Sequence, residues 1–137
     1  MTPFEIMGVV NVTPDSFSDG GTFDDDAAAV RHARRLVEEG AAIVDVGGES
    51  TRPGAAPVPA EEELRRVVPV VEGLAALGLP ARLSVDTMKL EVASAAVDAG
   101  AAYVNDVSAF RHDPELAGLV ADRGLDCCLM HMLGEPR

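Results

Sequence analysis

A parallel α/β sheet, as the N-terminal half of a (β/α)8 TIM barrel, is the fold this sequence predicts. Three observations carry that expectation. Strand-like apolar runs alternate with amphipathic helical segments along the whole chain, with no break in composition. The strand runs are nearly continuous in Val, Ile and Ala, the pattern of strands covered on both faces. Polar residues gather at the carboxyl ends of successive strands: Asn11, the run Glu49-Ser50-Thr51-Arg52, Asp86, Asn105 with Asp106, and His131. An open doubly wound sheet shares the alternation. However, no Gly-rich dinucleotide fingerprint follows the first strand, and polar ends on every strand are the barrel pattern.

The elements follow in order. Glu5–Val12 reads as a strand. Asp24–Glu39 reads as a helix with Val30, Ala33, Leu36 and Val37 on one face and Gly40 just past its end. Ala42–Val46 is an apolar strand broken by Asp45. Glu61–Leu77 is an amphipathic helix carrying Leu64, Val67, Val68, Val71 and Leu74, with Pro59 ahead of it. Pro69 inside that helix predicts a kink or a distorted turn.

Arg82–Val85, Ala102–Val107 and Asp126–Met132 are the remaining strands. Lys89–Ala99, closed by Gly100, and Pro114–Asp122 are the helices between them. The joints at 39–46 (EGAAIVDV) and 99–107 (AGAAYVNDV) resemble each other, as repeated units should. Four strand–helix units and a fifth strand form one domain, 1–137, a little over half of a barrel. The last residues, Glu135-Pro136-Arg137, fall in the loop after strand five, so the chain is expected to be the N-terminal portion of a longer barrel or a half-barrel needing a partner.

Bulk properties narrow the function. A formal charge of −12 argues against nucleic acid and against an anionic membrane surface. No apolar run approaches the roughly 20 residues of a bilayer span. The start, MTPFEIMG, has neither the basic nor the apolar region of a secretory signal. Cys127 and Cys128 are adjacent, which gives neither metal spacing nor a disulfide framework. They are expected to be small core residues of a cytoplasmic protein.

Five motifs occur in order: MGVVNVTPDSFSDGG from Met7, VDVGGESTRPGA from Val44, SVDT from Ser84, VNDVSA from Val104 and MHM from Met130. Together they resemble dihydropteroate synthase of the folate pathway, over essentially the whole chain. The resemblance implies a (β/α)8 barrel that condenses a pterin methyl pyrophosphate with p-aminobenzoate, releasing pyrophosphate. It implies Mg2+ as cofactor, a homodimer at full length, and sulfonamide drugs in the p-aminobenzoate place.

Residue by residue, it implies that Asp86 and Asn105 contact the pterin ring and that Asn11 meets Mg2+. Thr51 and Arg52, with Pro53 in their turn, would hold pyrophosphate or the p-aminobenzoate carboxylate. The chemistry agrees: a flat edge of N–H groups suits short carboxylates and carboxamides, and Mg2+ bound by one amide oxygen completes its shell with water and phosphate. On the residues alone, other tasks are open. Asp86 could cap a helix beginning near Met88. Asn11 and Asn105 could anchor loops, and Arg52 could be a solvated charge.

Asp45 and Asp106 read as structural acids that tie down backbone N–H groups or orient ligand-contacting residues. Lys89 and Arg111 read as solvated residues near the mouth, and His131 has no assigned role. Displacement of pyrophosphate needs ordering and leaving-group stabilisation more than a nucleophile or strong base, and no residue is assigned covalent or general-base catalysis. The alternatives are another pterin-binding barrel, such as a methyltetrahydrofolate-dependent methyltransferase, and an inactive half-barrel. The phosphate-suited STRPG loop argues against the methyltransferase.

The family's second half normally supplies a further pterin-contacting Asp, a Ser-Arg-Lys motif and an Arg-x-His pair, none of which lies within residues 1–137. The purified 137-residue chain is therefore expected to show no turnover in a steady-state synthase assay.

Overall fold

The computed structural model describes residues 4–13, 23–50 and 54–130. All nine predicted elements are present in the predicted order. They are β1 (Met7–Asn11), α1 (Phe23–Glu38), β2 (Ile43–Gly47), α2 (Ala60–Leu77), β3 (Arg82–Asp86), α3 (Leu90–Ala99), β4 (Tyr103–Asp106), α4 (Glu115–Arg123) and β5 (Asp126–Leu129).

The five strands form one sheet in the order β1-β2-β3-β4-β5, every neighbour parallel. Right-handed crossovers between successive neighbours place every helix on the same side of the sheet. Accordingly α1 packs on α2, α2 on α3, and α3 on α4. A doubly wound sheet would divide its helices between two faces. This is the wall of part of a (β/α)8 barrel.

The register makes the two faces unlike. Val10, Val46, Val85 and Val104 are paired across four strands, are fully buried, and lie under the helices. Val67, Val70, Val71 and Leu74 of α2 and Val92, Ala93 and Ala96 of α3 pack against that layer. β-Branched side chains suit it, because they are stiff and fill the pleat without a rotamer cost. The alternate residues point to the opposite face. There the paired rows run Val9–Asp45–Ser84–Tyr103–Asp126 and Asn11–Gly47–Asp86–Asn105–Cys128.

Contacts on this second face skip strands. Asn105 of β4 reaches Asp45 of β2 over β3. Arg82 of β3 pairs with Glu5 ahead of β1 at 2.7 Å and with Asp126 of β5, and its guanidinium lies 5.4 Å from the Tyr103 ring centroid. Side chains two strands apart meet only when the sheet curls toward them, so this is its concave face.

Two expectations change, those for the buried face of α2 and for the cysteines. Pro69 lies within α2, which runs unbroken from Ala60 to Leu77. Pro69 and Arg65 both lie exposed, where the carbonyl that loses its usual donor is open to water. The buried stripe of α2 is Glu63, Val67, Val70, Val71 and Leu74, rotated from the expected face so that Leu64 and Val68 sit at its margin. Cys127 and Cys128 are exposed free thiols rather than core residues. They do point to opposite faces, but β5 is the edge of the described sheet and all four of its residues are exposed.

Leu74 is 1% exposed at the centre of this core, whereas Leu77, one turn on, is 44% exposed. Leu74→Ala is expected to cost about 2–5 kcal/mol in urea unfolding, and Leu77→Ala less than about 1 kcal/mol.

Candidate ligand-binding site at the carboxyl ends of the strands

The last paired row on the concave face brings Asn11, Asp86 and Asn105 into one line, with Gly47 between the first two. Gly47 is needed for that closeness. A Cβ there would stand 3.3 Å from both Cβ and Oδ2 of Asp86. Its neighbour Gly48 lets α2 approach, since a Cβ would come within 2.9 Å of Val67. The pair of glycines in VDVGGES thus makes room on two sides.

Asp86 does not cap α3. The Lys89 N–H donates to Thr87 Oγ1 at 3.2 Å, and the Leu90 N–H to Asp113 Oδ2 at 3.1 Å. With the helix start satisfied by others, the Asp86 carboxylate accepts no hydrogen bond from the described residues. It is also surrounded by negative charge. Burial, reinforced by Asp45, Glu63, Asp106 and Glu49, lifts its pKa from the ordinary 3.8 to about 7.

Asn105 is held from below. Its Nδ2 donates to Asp45 Oδ2 at 2.9 Å, while Ser84 Oγ donates to Asp45 Oδ1 at 2.6 Å. A carboxylate accepts only, so the Asn105 atom facing Asp45 is its nitrogen, and its side-chain carbonyl oxygen accepts no hydrogen bond from the described residues. Asp45 is 2% exposed, and burial raises its pKa against the opposing pull of Ser84 and Asn105. Asp106, fully buried, accepts from the Ser108 N–H and Oγ, both at 2.8 Å, and from the Phe110 N–H at 3.1 Å. One acid orients the amide and the other shapes the loop after β4. In that loop Ala109 and Phe110 take φ of 52° and 64°, a costly left-handed pair that the Asp106 bonds help to hold.

Lys89 is not a solvated charge. Its ammonium lies 2.6 Å from Glu63 Oε1 and 2.9 Å from Glu49 Oε1, with a side chain only 15% exposed. Burial alone would lower its pKa, but the hydrogen bonds to Glu63 and Glu49 carry it above the ordinary 10.5. Arg111 is exposed and donates Nε to the Ser108 carbonyl at 2.8 Å. Glu63 went unnoticed as a sequence feature. Its signal was a carboxylate on the apolar stripe of α2, four residues before Val67.

Asn11 lies exposed at the end of β1. Thr51, Arg52, Pro53 and His131 lie outside the described residues, as do Asp15, Ser16, Ser18, Gly20 and Gly21 of the loop after β1.

Residues 7–137 match the model of the family described as pterin binding enzyme. The chain belongs to that family. Among curated members it is 50% identical over 127 residues to the dihydropteroate synthase of Bacillus subtilis, covering 92% of this chain and 44% of that one. It is 53% identical over 131 residues to the Mycobacterium leprae enzyme, covering 96% and 45%. A solved Xanthomonas albilineans dihydropteroate synthase with 4-aminobenzoic acid superposes with a TM-score of 0.87 at 59% identity, over 95% of this chain and 47% of that one. The same enzyme with 7,8-dihydropteroate gives 0.81 at 54%, over 94% and 46%. The chain spans about half the length of the relatives it matches.

A carboxyl group whose folded pKa is raised contributes stability that is fully present below its unfolded pKa and lost as pH rises through the folded value. For Asp86 that window runs from 3.8 to about 7. Asp86→Asn should remove this slope, so that above pH ~8 the variant is more stable than the parent by a few kcal/mol and unfolds at a higher temperature. Calorimetric melting at acid and alkaline pH measures the difference, with Asp45 supplying a residual slope in both proteins.

Proposed function

We propose that this chain forms the N-terminal part of a dihydropteroate synthase. It would contribute the pterin-edge contacts of an enzyme that joins 6-hydroxymethyl-7,8-dihydropterin pyrophosphate to p-aminobenzoate. The observation that carries the reading is the Asp86 carboxylate, which accepts nothing from the described residues, beside Asn105, whose side-chain carbonyl faces away from Asp45. Two adjacent acceptors match the N–H groups along one edge of a pterin, which donates side by side in its ring plane. The relatives support the substrates: the solved neighbours include dihydropteroate synthases with 4-aminobenzoic acid, with 7,8-dihydropteroate and with a sulfonamide drug.

In the reaction, the bond between the pterin methylene and the pyrophosphate oxygen breaks and the aniline nitrogen bonds to the methylene carbon. The proton lost from that nitrogen passes to solvent or to the departing pyrophosphate. What this chain contributes is alignment, because a fixed pterin edge fixes the direction in which the methylene faces. Thr51 and Arg52, in the turn set by Pro53, would grip the pyrophosphate or the aminobenzoate carboxylate by hydroxyl and guanidinium.

Mg2+ fits the residues present. Asn11 lies exposed at the strand ends, and its side-chain amide can offer one neutral oxygen. That donor set suits an ion that keeps most of its water and takes phosphate oxygens. When bound, the ion would supply neutralisation of pyrophosphate charge. A cytoplasmic location and a homodimeric full-length protein complete the reading; the free thiols of Cys127 and Cys128 suit a reducing compartment.

The pterin edge donates, so it requires Asp86 ionised. Affinity of the full-length protein for the pterin pyrophosphate is expected to fall about tenfold for each pH unit below ~7. Asp86→Asn should weaken binding by about 2–4 kcal/mol at pH ~8 and abolish that pH dependence. Isothermal titration calorimetry measures both, and an unchanged affinity in the variant refutes the pterin-edge assignment.

A further inference from the structure

Behind Asp86 lies a buried ionic cluster to which the reading above gives no task. Glu63 is fully enclosed on the first turn of α2. Its Oε2 accepts from Thr87 Oγ1 at 2.5 Å and its Oε1 from Lys89 Nζ at 2.6 Å. The same ammonium donates to Glu49 Oε1, whose other oxygen accepts the Val58 N–H at 2.8 Å. Two carboxylates and one ammonium leave the cluster with a charge of −1. Apolar side chains of similar volume would join α2 to α3 without desolvating any ion, so packing alone does not account for the charge.

The cluster bears on Asp86 in two ways. First, residues 87–89, which follow it directly, are clamped from both sides. Thr87 and Lys89 are bound to Glu63, and the Thr87 N–H donates to the backbone carbonyl of Asn105 at 3.1 Å. The strand end is fixed while the Asp86 carboxylate itself stays uncommitted. Second, the acids facing Asp86 come from every neighbouring element: Asp45 from β2, Glu49 from the loop after it, Glu63 from α2 and Asp106 from β4. Lys89 is the counter-ion of two of them.

We propose that Lys89 and Glu63 are positioning residues for Asp86, holding its strand end and setting by their charge balance how readily its carboxylate meets a donor edge. This rests on the pterin-site reading for its ligand but not for its electrostatics. Lys89→Met takes the cluster from −1 to −2, and Lys89→Met with Glu63→Gln returns it to −1 at nearly constant volume.

The test follows the Asp86 carboxyl carbon by NMR titration of the ligand-free full-length protein, with calorimetry of pterin pyrophosphate binding alongside. Lys89→Met is expected to raise the Asp86 midpoint by about one unit and to weaken binding about tenfold near neutral pH. The double variant should bring both back toward the parent. An unmoved midpoint in Lys89→Met, or a double variant as impaired as the single, overturns the proposal, since lost packing is not rescued by removing a charge. A midpoint that moves and is rescued while pterin affinity stays constant upholds the positioning and sinks the pterin-site reading. Should Lys89→Met not fold, Glu49→Gln decides: one negative charge fewer must lower the midpoint, and no movement overturns the proposal.

Discussion

The register of the parallel sheet is the constraint on which the other features depend. Val10, Val46, Val85 and Val104 must all face the helices, because that row is the floor of the apolar core. With a side-chain period of two, this assigns Asn11, Gly47, Asp86 and Asn105 to the other face together. A slip of one residue in β2 or β3 would carry Asp45 or Asp86 under the helices and turn a valine to the concave face. The core therefore specifies the site. β1, β3 and β4 each place a valine in the core and a polar residue at the strand end, and Gly47 of β2 leaves room between them.

That arrangement concentrates acid. Asp45, Asp86, Asp106, Glu49 and Glu63 share one end of the sheet, and the Lys89 ammonium serves two of them. Arg66 and Arg111, also near, are turned onto the carbonyls of Gly48 and Ser108. Most of these acids are quieted by donors: Asp45 by Ser84 and Asn105, Asp106 by backbone N–H groups, Glu63 by Thr87 and Lys89. Asp86 alone accepts nothing from the described residues, and it carries the largest consequence in its proton affinity. A group left unsatisfied among satisfied ones is where a complementary ligand gains most.

Much of this was legible in the sequence, for identifiable reasons. Apolar runs and their spacing gave every element, because strand and helix periods leave different marks on the same residue types. The roles of Asp45 and Asp106 as orienting and loop-fixing acids were visible from their place at strand ends. Other features depend on three-dimensional neighbours. Whether Cys127 and Cys128 are covered turns on what lies beside β5, not on their own apolar character. Lys89 looked like a surface lysine because its two partners stand 26 and 40 residues away in the chain. Glu63 stands among three acids that open α2, a common N-terminal pattern that its neighbours Glu61 and Glu62 do follow.

The contrast among those three glutamates shows how local and global demands separate. An acid in the first turn of a helix gains modestly from the dipole wherever it points. Only the position that falls on the stripe of Val67, Val70 and Leu74 is carried inside, where an unpaired carboxylate would be untenable. The fold meets that demand with Thr87 and Lys89, both supplied by the turn that follows Asp86. Thus α2 is joined to the strand end by an ionic contact rather than an apolar one. The same contact fixes the backbone that follows Asp86, and its Glu63 is among the charges that act on the Asp86 carboxylate.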